Sequence, residues 1–362
     1  MHNTKMKKIL TITLHCTDNS GSSLQALALQ TYLSGLGHQC EIINYCPSYL
    51  KYNGNFIKSI IINFTINLVT HIKTMHKLQE FRKRYLVTTR KKYKSIRSLS
   101  KEKFDCDVLI SGSDQLWNPS YKCGNDEAYF LSFVKNTTIE KIAYAASVGK
   151  DNLSYDEIKK LNEKTKDFKV ITVRENQISE HIFNKPTNWV CDPVFLLDKK
   201  YYINMLNSRP INGKYLLVYL IYENDPLLDE YILNYKKVFD GIVIQIGGFR
   251  KKCNCDKHIK ELDPVDFLTY IYYSDYLISS SFHATAFSIL FNKNFSVLLP
   301  KKNKSRILSL LSISKALNDR IINSNNIEKN IDTNIDFSIV NNDFEHFIKK
   351  SKLIITNEIL GD

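Results

Sequence analysis

Four short stretches of this 362-residue chain carry side chains suited to chemistry, and each lies where an apolar run breaks into polar residues. In SSSFHATAF, residues 279–287, His283 stands between serines and a helical apolar pattern. An imidazole at a strand end, beside a helix N-terminus, can bind phosphate or move a proton near neutral pH. A lone histidine in that setting can also be structural. In ITVRENQ, residues 171–177, Arg174 follows an apolar strand, and its planar fork suits bidentate contact with phosphate or carboxylate. A surface pair with Glu175 is the plain alternative. In SGSDQLWNP, residues 111–119, Gly112 would let a ligand approach the backbone, Asp114 offers a carboxylate to sugar hydroxyls, and Trp117 offers a ring on which a sugar can stack. A capping Asp and a core Trp would read the same way. In TDNSGSSLQALAL, residues 17–29, Asn19 and Gly21 precede a helix whose first amides can hold an anion. The stretch lacks GxGxxG, so a dinucleotide site fits poorly, and a simple Gly turn would give the same letters.

Metal patterns are weak. Cys253 and Cys255 form a C-x-C in a Lys-rich loop with no second pair to complete a tetrahedral site. Asp105-Cys106-Asp107 has the D-x-D form but leads into an apolar strand instead of following one. No metal site is expected. The eight cysteines show no C-x-x-C spacing, and free thiols are expected.

The elements that must position these groups follow from periodicity. KILTITL (8–14) reads as a strand, SLQALALQTYLSGLG (23–37) as a helix and QCEIINYC (39–46) as the next strand, which makes a β-α-β opening. Such an opening implies a parallel, doubly wound sheet with ligand-binding loops at the carboxyl ends of its strands. Residues 56–98 look helical. CDVLISGSDQLWN, IEKIAYAASV, FKVITV and NWVCDPVFLL each read as a strand running into a loop, with the helix YDEIKKLNEKTK among them. A second alternation begins near residue 214 with KYLLVYLIY and continues through LLDEYILNYKKV, GIVIQIG, VDFLTYIYY, DYLISSS, a helix over 284–291 and FSVLLP. Two α/β domains are expected, residues 1–200 and 201–362, joined by a polar stretch over 196–212. Residues 323–334 read as a surface connection. A closing helix over 342–360 should bury Phe344, Phe347, Ile348 and Leu353 on one face.

Composition sets the outer limits. Hydrophobic residues at 43% and charged residues at 24% provide for buried cores and argue against disorder. The apolar stretch from Ile9 to Leu14 is too short for a signal segment, and nothing approaches the length of a spanning helix. A cytoplasmic protein is expected. Net charge is +13, and the segment Lys73–Arg97 holds ten Lys or Arg against one acid, Glu80. That segment reads either as a solvated basic helix or as a contact for an anionic membrane. No nucleic-acid module accompanies it, so nucleic acid is not an expected partner.

The order of segments TDNSGSSLQALAL, FDCDVLISGSDQLWNP, IAYAASVG, ITVREN, CDPVFLL and SDYLISSSFHATAFSILFNKNF, with SRILSLL and NDR behind them, resembles the polysaccharide pyruvyl transferase family over most of the chain. The resemblance implies two Rossmann-like domains facing a cleft, similar to GT-B glycosyltransferases. It implies a cytoplasmic enzyme of capsule, exopolysaccharide or other cell-surface glycan synthesis, which transfers pyruvate from phosphoenolpyruvate to a sugar hydroxyl pair as a ketal. No metal or nucleotide cofactor is then required. Arg174 and His283 match the positions the family uses to hold phosphoenolpyruvate, and Asp114 matches its GSD segment as a candidate base. Many members have an Arg where this chain has Ser281, so part of the phosphate clamp is either missing or supplied by Arg306, Lys301 or Lys302. Asn19, Gly21, Asp114 and Trp117 fall to the acceptor, a sugar or a lipid-linked glycan. Two alternatives stay open: a GT-B glycosyltransferase using a nucleotide sugar, and a catalytically silent glycan-binding relative.

Overall fold

The computed structural model describes residues 5–50, 64–135, 138–179, 182–221, 226–323 and 334–361. The surface connection expected over 323–334 therefore lies, apart from its two end residues, outside the described residues. The chain divides into two compact units, one of residues 1–57, 82–197 and 345–362, the other of residues 58–81 and 198–344. The sequence had assigned all of 201–362 to the second domain, whereas 345–362 belongs to the first unit.

The first unit is built on a six-stranded, wholly parallel sheet in the order β2-β1-β3-β4-β5-β6. Its strands are β1 (Lys8–Ile12), β2 (Gln39–Ile42), β3 (Val108–Ser111), β4 (Glu140–Ala146), β5 (Val170–Val173) and β6 (Thr187–Trp189). After β1 the chain moves to one side to form β2, then crosses to the other side for β3. That reversal makes the carboxyl ends of β1 and β3 the topological switch point, where open α/β sheets bind their ligands. The helix α1 (Ser20–Gly35) follows β1 and is buried along most of its length, which explains its Leu, Ala and Ser content on every side.

Part of the chain's end closes this unit. The Phe347 ring packs on Trp189 with centroids 4.5 Å apart, and the Ser351 hydroxyl accepts from the Cys191 amide at 2.9 Å. Phe344 is buried as expected, but Leu353 is 51% exposed, because the buried stripe passes instead through Ile354, Ile355, Ile359 and Leu360. Of the helix expected over 56–98, residues 56–63 lie outside the described residues, and the described part runs Phe64–Tyr85, ending well before 98. Beyond it Thr88 and Tyr93 form bridges to Ile42 and Tyr45, so this stretch borders the sheet.

The second unit repeats the plan with five parallel strands in the order β11-β10-β7-β8-β9. These are β7 (Tyr215–Tyr219), β8 (Ile242–Ile246), β9 (Lys257–Ile259), β10 (Tyr276–Ser279) and β11 (Phe295–Val297). Its switch point lies between β7 and β10. Only β9, with three residues and two of them charged or polar, left no apolar run to read in the sequence.

One pair of cysteines departs from expectation. Cys16 and Cys46 form a disulfide, with Cα atoms 5.6 Å apart, because the chain brings the loops after β1 and β2 side by side. Cys40, Cys106, Cys123, Cys191, Cys253 and Cys255 are free thiols.

Candidate active site

At the switch point of the first unit the loops after β1, β3, β4 and β5, with the turn after β6, deliver a buried polar network. Asn19 caps α1 through its side-chain oxygen, which accepts from the amides of Gly21 at 2.8 Å and Ser22 at 3.4 Å. Gly21 thus lies in the first helical turn and not in an open loop. The cap orients Ser22, whose hydroxyl donates to Asp114 Oδ2 at 2.5 Å. The Gln115 amide donates to Asp114 Oδ1 at 2.8 Å.

Asp114 itself has φ of +88°, a left-handed conformation uncommon outside glycine, held by a bridge to Ala146 that includes a 3.1 Å bond from the Ser147 amide to its carbonyl. Such outliers persist only where the surroundings fix them, and they collect at functional sites. β4 is irregular at the same level: its register shifts between Ala143 and Ala146, and Ala145 has φ of +50°.

Arg174, at the end of β5, is 3% exposed and donates from one guanidinium nitrogen to Asp192 at 2.5 Å and, more weakly, to Ser113 at 3.4 Å. Its other terminal nitrogen stands 3.8 Å from Asp114 Oδ1. One buried cation thus faces two buried carboxylates, with the Ser113 hydroxyl also donating to Asp192 at 3.1 Å. Burial opposes the guanidinium charge, but Asp192, Asp114 and Glu175 together more than offset it, and its pKa is raised. Glu175 is not the surface partner that the sequence allowed. It is buried and accepts from the Ser147 hydroxyl and from the Gly149 amide at 3.2 Å.

Trp117 is corrected by the structure. It is 2% exposed, donates its indole N–H to the Tyr129 carbonyl at 3.1 Å and stacks on Phe130 at 5.5 Å with 9° between planes. Both ring faces belong to the core, so it presents no platform for a sugar. Gly112 likewise serves packing. A side chain there would begin 3.2 Å from Thr13 Cβ, so the bare backbone lets the end of β3 lie against the end of β1.

In the second unit, the helix Phe282–Leu290 starts directly after β10. Ser281 caps it by accepting from the Ala284 amide at 3.4 Å, which puts His283 in its first turn, 5% exposed. The helix Ser305–Leu311 packs on it and carries Arg306, 7% exposed, at its own start. Ser281, His283 and Arg306 therefore gather at the carboxyl end of this sheet, while Lys301 and Lys302 are exposed on the connection before Arg306. A helix N-terminus, an imidazole and a guanidinium make that corner suited to an anion.

The sequence named Asp114, Arg174, His283, Ser281 and Asn19 but missed Ser22, Ser113, Ser147 and Asp192 as members of the network. Each of these sits in a stretch already singled out, yet a serine in a polar loop gives no local sign of its partner.

Comparison with known proteins agrees with this architecture. A family model described as "Polysaccharide pyruvyl transferase" matches residues 19–302. No curated protein sequence matches the chain. Among solved structures, S. aureus MnaA in its co-structure with UDP is similar at a TM-score of 0.53 with 13% identity, covering 98% of this chain and 97% of that one. Arabidopsis thaliana UGT89C1 complexed with UDP-L-rhamnose reaches 0.52 with 11% identity over 97% and 96% of the two chains. An alpha-glucosyltransferase in complex with UDP reaches 0.51 with 9% identity over 98% and 100%. At such identities the likeness shows the fold, that of GT-B glycosyltransferases and related enzymes built from two parallel-sheet α/β domains.

Proposed function

This chain belongs to the polysaccharide pyruvyl transferase family, and from that premise we propose that it transfers pyruvate from phosphoenolpyruvate to a sugar hydroxyl pair, forming a ketal in cell-surface polysaccharide synthesis. The observation that carries the reading is the family match over residues 19–302, a span that includes every residue of both polar corners except Arg306.

Ketal formation delivers a proton to the methylene carbon of phosphoenolpyruvate, adds a sugar hydroxyl to the neighbouring carbon and expels phosphate. A second hydroxyl then closes the ring. Negative charge grows on the departing phosphate, so cationic groups around it stabilise the transition state more than the ground state. A corner of that charge type is present in each unit taken by itself. In the second, Ser281 and His283 lie at the start of the helix Phe282–Leu290 and Arg306 at the start of the helix packed on it, and His283 is assigned to phosphate contact and proton transfer. In the first, Arg174 is assigned to an anionic group of the donor, a role in which the ligand would share the guanidinium with Asp192. Asp114 is assigned as base for the acceptor hydroxyl, with Asn19 and Gly21 beside it.

The acceptor is a sugar or lipid-linked glycan, and no metal or nucleotide enters the scheme. Among the described residues no helix is long and apolar enough to cross a membrane. The basic segment Lys73–Arg97 is assigned to peripheral contact with an anionic membrane, where a lipid-linked acceptor would be met.

The test is direct. The protein is incubated with phosphoenolpyruvate and lipid-linked glycan intermediates, and the products are examined for released phosphate and the mass gain of a ketal. Sugar transfer from a nucleotide sugar instead would establish the glycosyltransferase alternative.

A further inference from the structure

We infer that His15, Cys16 and Cys46 form, in the reduced protein, a binding site for a borderline-soft divalent cation of the zinc class, and that closure of the Cys16–Cys46 disulfide is the released, metal-free state of the same site. The three residues are buried, and their ligand atoms all lie within 4.8 Å of one another. His15 Nδ1 faces the Thr13 carbonyl oxygen at 3.2 Å, so this nitrogen carries the proton and Nε2 presents its lone pair. Fixing a ligating imidazole through its far nitrogen in this way is the usual outer-shell arrangement at metal centres.

Nε2 points at both sulfurs, 3.2 Å from Cys16 Sγ and 3.9 Å from Cys46 Sγ. A tetrahedral zinc ion with metal–sulfur bonds of about 2.3 Å and a metal–nitrogen bond of about 2.0 Å would hold nitrogen and sulfur about 3.6 Å apart. The two distances, 3.2 and 3.9 Å, lie on either side of that value while the sulfurs are still bonded to each other. An ion would also hold the sulfurs about 3.8 Å apart, so reduction must let them separate. Two thiolates and one imidazole leave a fourth position for water.

The location gives the site a consequence. His15 and Cys16 lie in the loop after β1 and Cys46 in the loop after β2, so an ion would tie together the loops that leave the carboxyl ends of two neighbouring strands. Thr17 to Asn19 come next in the chain, then the helix whose Ser22 holds Asp114. Oxidation balances without loss of atoms. The two protein thiolates give two electrons to a small-molecule disulfide, which leaves as two thiolates, the Cys16–Cys46 bond forms, and the cation departs.

The test uses the full chain, reduced with a phosphine and freed of metal. Added Co²⁺ should give a thiolate-to-cobalt charge-transfer band that saturates at one ion per chain and is displaced by Zn²⁺. Cys16→Ser and Cys46→Ser should lose the band, and the double variant Cys253→Ser/Cys255→Ser should keep it. No band in the reduced wild type overturns the inference, as does a band that survives in Cys16→Ser. Should a Cys16 or Cys46 variant fail to fold, the wild type decides alone. Oxidised glutathione added to the zinc-loaded protein should release the ion as two protein thiols disappear and two glutathione thiols appear, with peptide mapping finding Cys16 linked to Cys46; zinc that stays bound while those two cysteines join overturns the inference.

Discussion

Trp117 and His15 show how a residue's role follows from its surroundings rather than from its type. Trp117 lies in a loop beside the Asp114 carboxylate, but its indole is enclosed by Phe130, Phe168 and Phe183. Trp117→Ala should therefore destabilise the protein by about 3–5 kcal/mol in urea unfolding, the range for deleting a buried aromatic. A sugar platform would instead show unchanged stability and weakened acceptor binding. His15 is held down to about 4 from the ordinary 6.5, mainly by burial, with the Arg82 and Lys92 charges adding to the shift and the Thr13 carbonyl opposing it. Between those values the unfolded chain takes up a proton that the folded chain refuses. Stability is thus fully present above pH 6.5 and falls as pH is lowered toward 4, by up to about 3 kcal/mol. Urea midpoints of the oxidised, metal-free protein at pH 7 and pH 4.5 should show the loss, and His15→Asn should flatten it. What the sequence conveyed at this scale was chemistry without partners: Arg174, Asp114 and His283 were legible as reactive types, but burial decides what each can do. That Arg174 faces Asp192 and Asp114 depends on three strand ends meeting, which no local window contains.

At the scale of elements, strands and helices were readable because parallel buried strands are continuous apolar runs and the helices between them are amphipathic or wholly apolar. Caps were less visible. Asn19 and Ser281 were read as contacts to substrates, and both also cap the helices that start their corners. Asn19→Ala should cost about 1 kcal/mol through loss of the cap. It should also loosen Ser22 and so change the Asp114 setting, which predicts a fall in kcat larger than the loss of stability explains. A cap without a catalytic consequence would show the stability loss alone, with kcat unchanged at a temperature where the variant is fully folded. Where the element reading failed, the cause is physical. The helix over 56–98 ends at Tyr85 because Thr88 and Tyr93 find hydrogen-bonding partners along β2 and the residues after it. The closing helix was placed with the second domain on sequence proximity, and no local pattern records that Phe347 packs on Trp189.

At the scale of the whole molecule, the charge of +13 is concentrated and partly engaged. Lys73 and Lys77 meet Glu261 and Asp266, and Arg82 donates to the Thr17 carbonyl. Lys83, Arg84, Arg90, Lys91, Lys92, Lys94 and Arg97 are exposed. Exposed basic residues at an anionic surface contribute about 1 kcal/mol each and are screened by salt. The protein should therefore float with vesicles containing anionic lipid at low salt and not with neutral vesicles, and the triple variant Arg90→Ala/Lys92→Ala/Lys94→Ala should float less.

The central claim concerns the donor, and calorimetric titration of the protein with phosphoenolpyruvate and, separately, with UDP-sugars tests it most directly. Phosphoenolpyruvate should bind at one site per chain. His283→Ala and Arg306→Ala should weaken it, each by the 1.5 to 3 kcal/mol or so that a hydrogen bond to a charged group contributes. Arg174→Lys should do the same, and it is preferred to Arg174→Ala because it leaves a cation beside the buried Asp192 and so keeps the fold intact. Tight binding of a UDP-sugar with none of phosphoenolpyruvate would contradict the account.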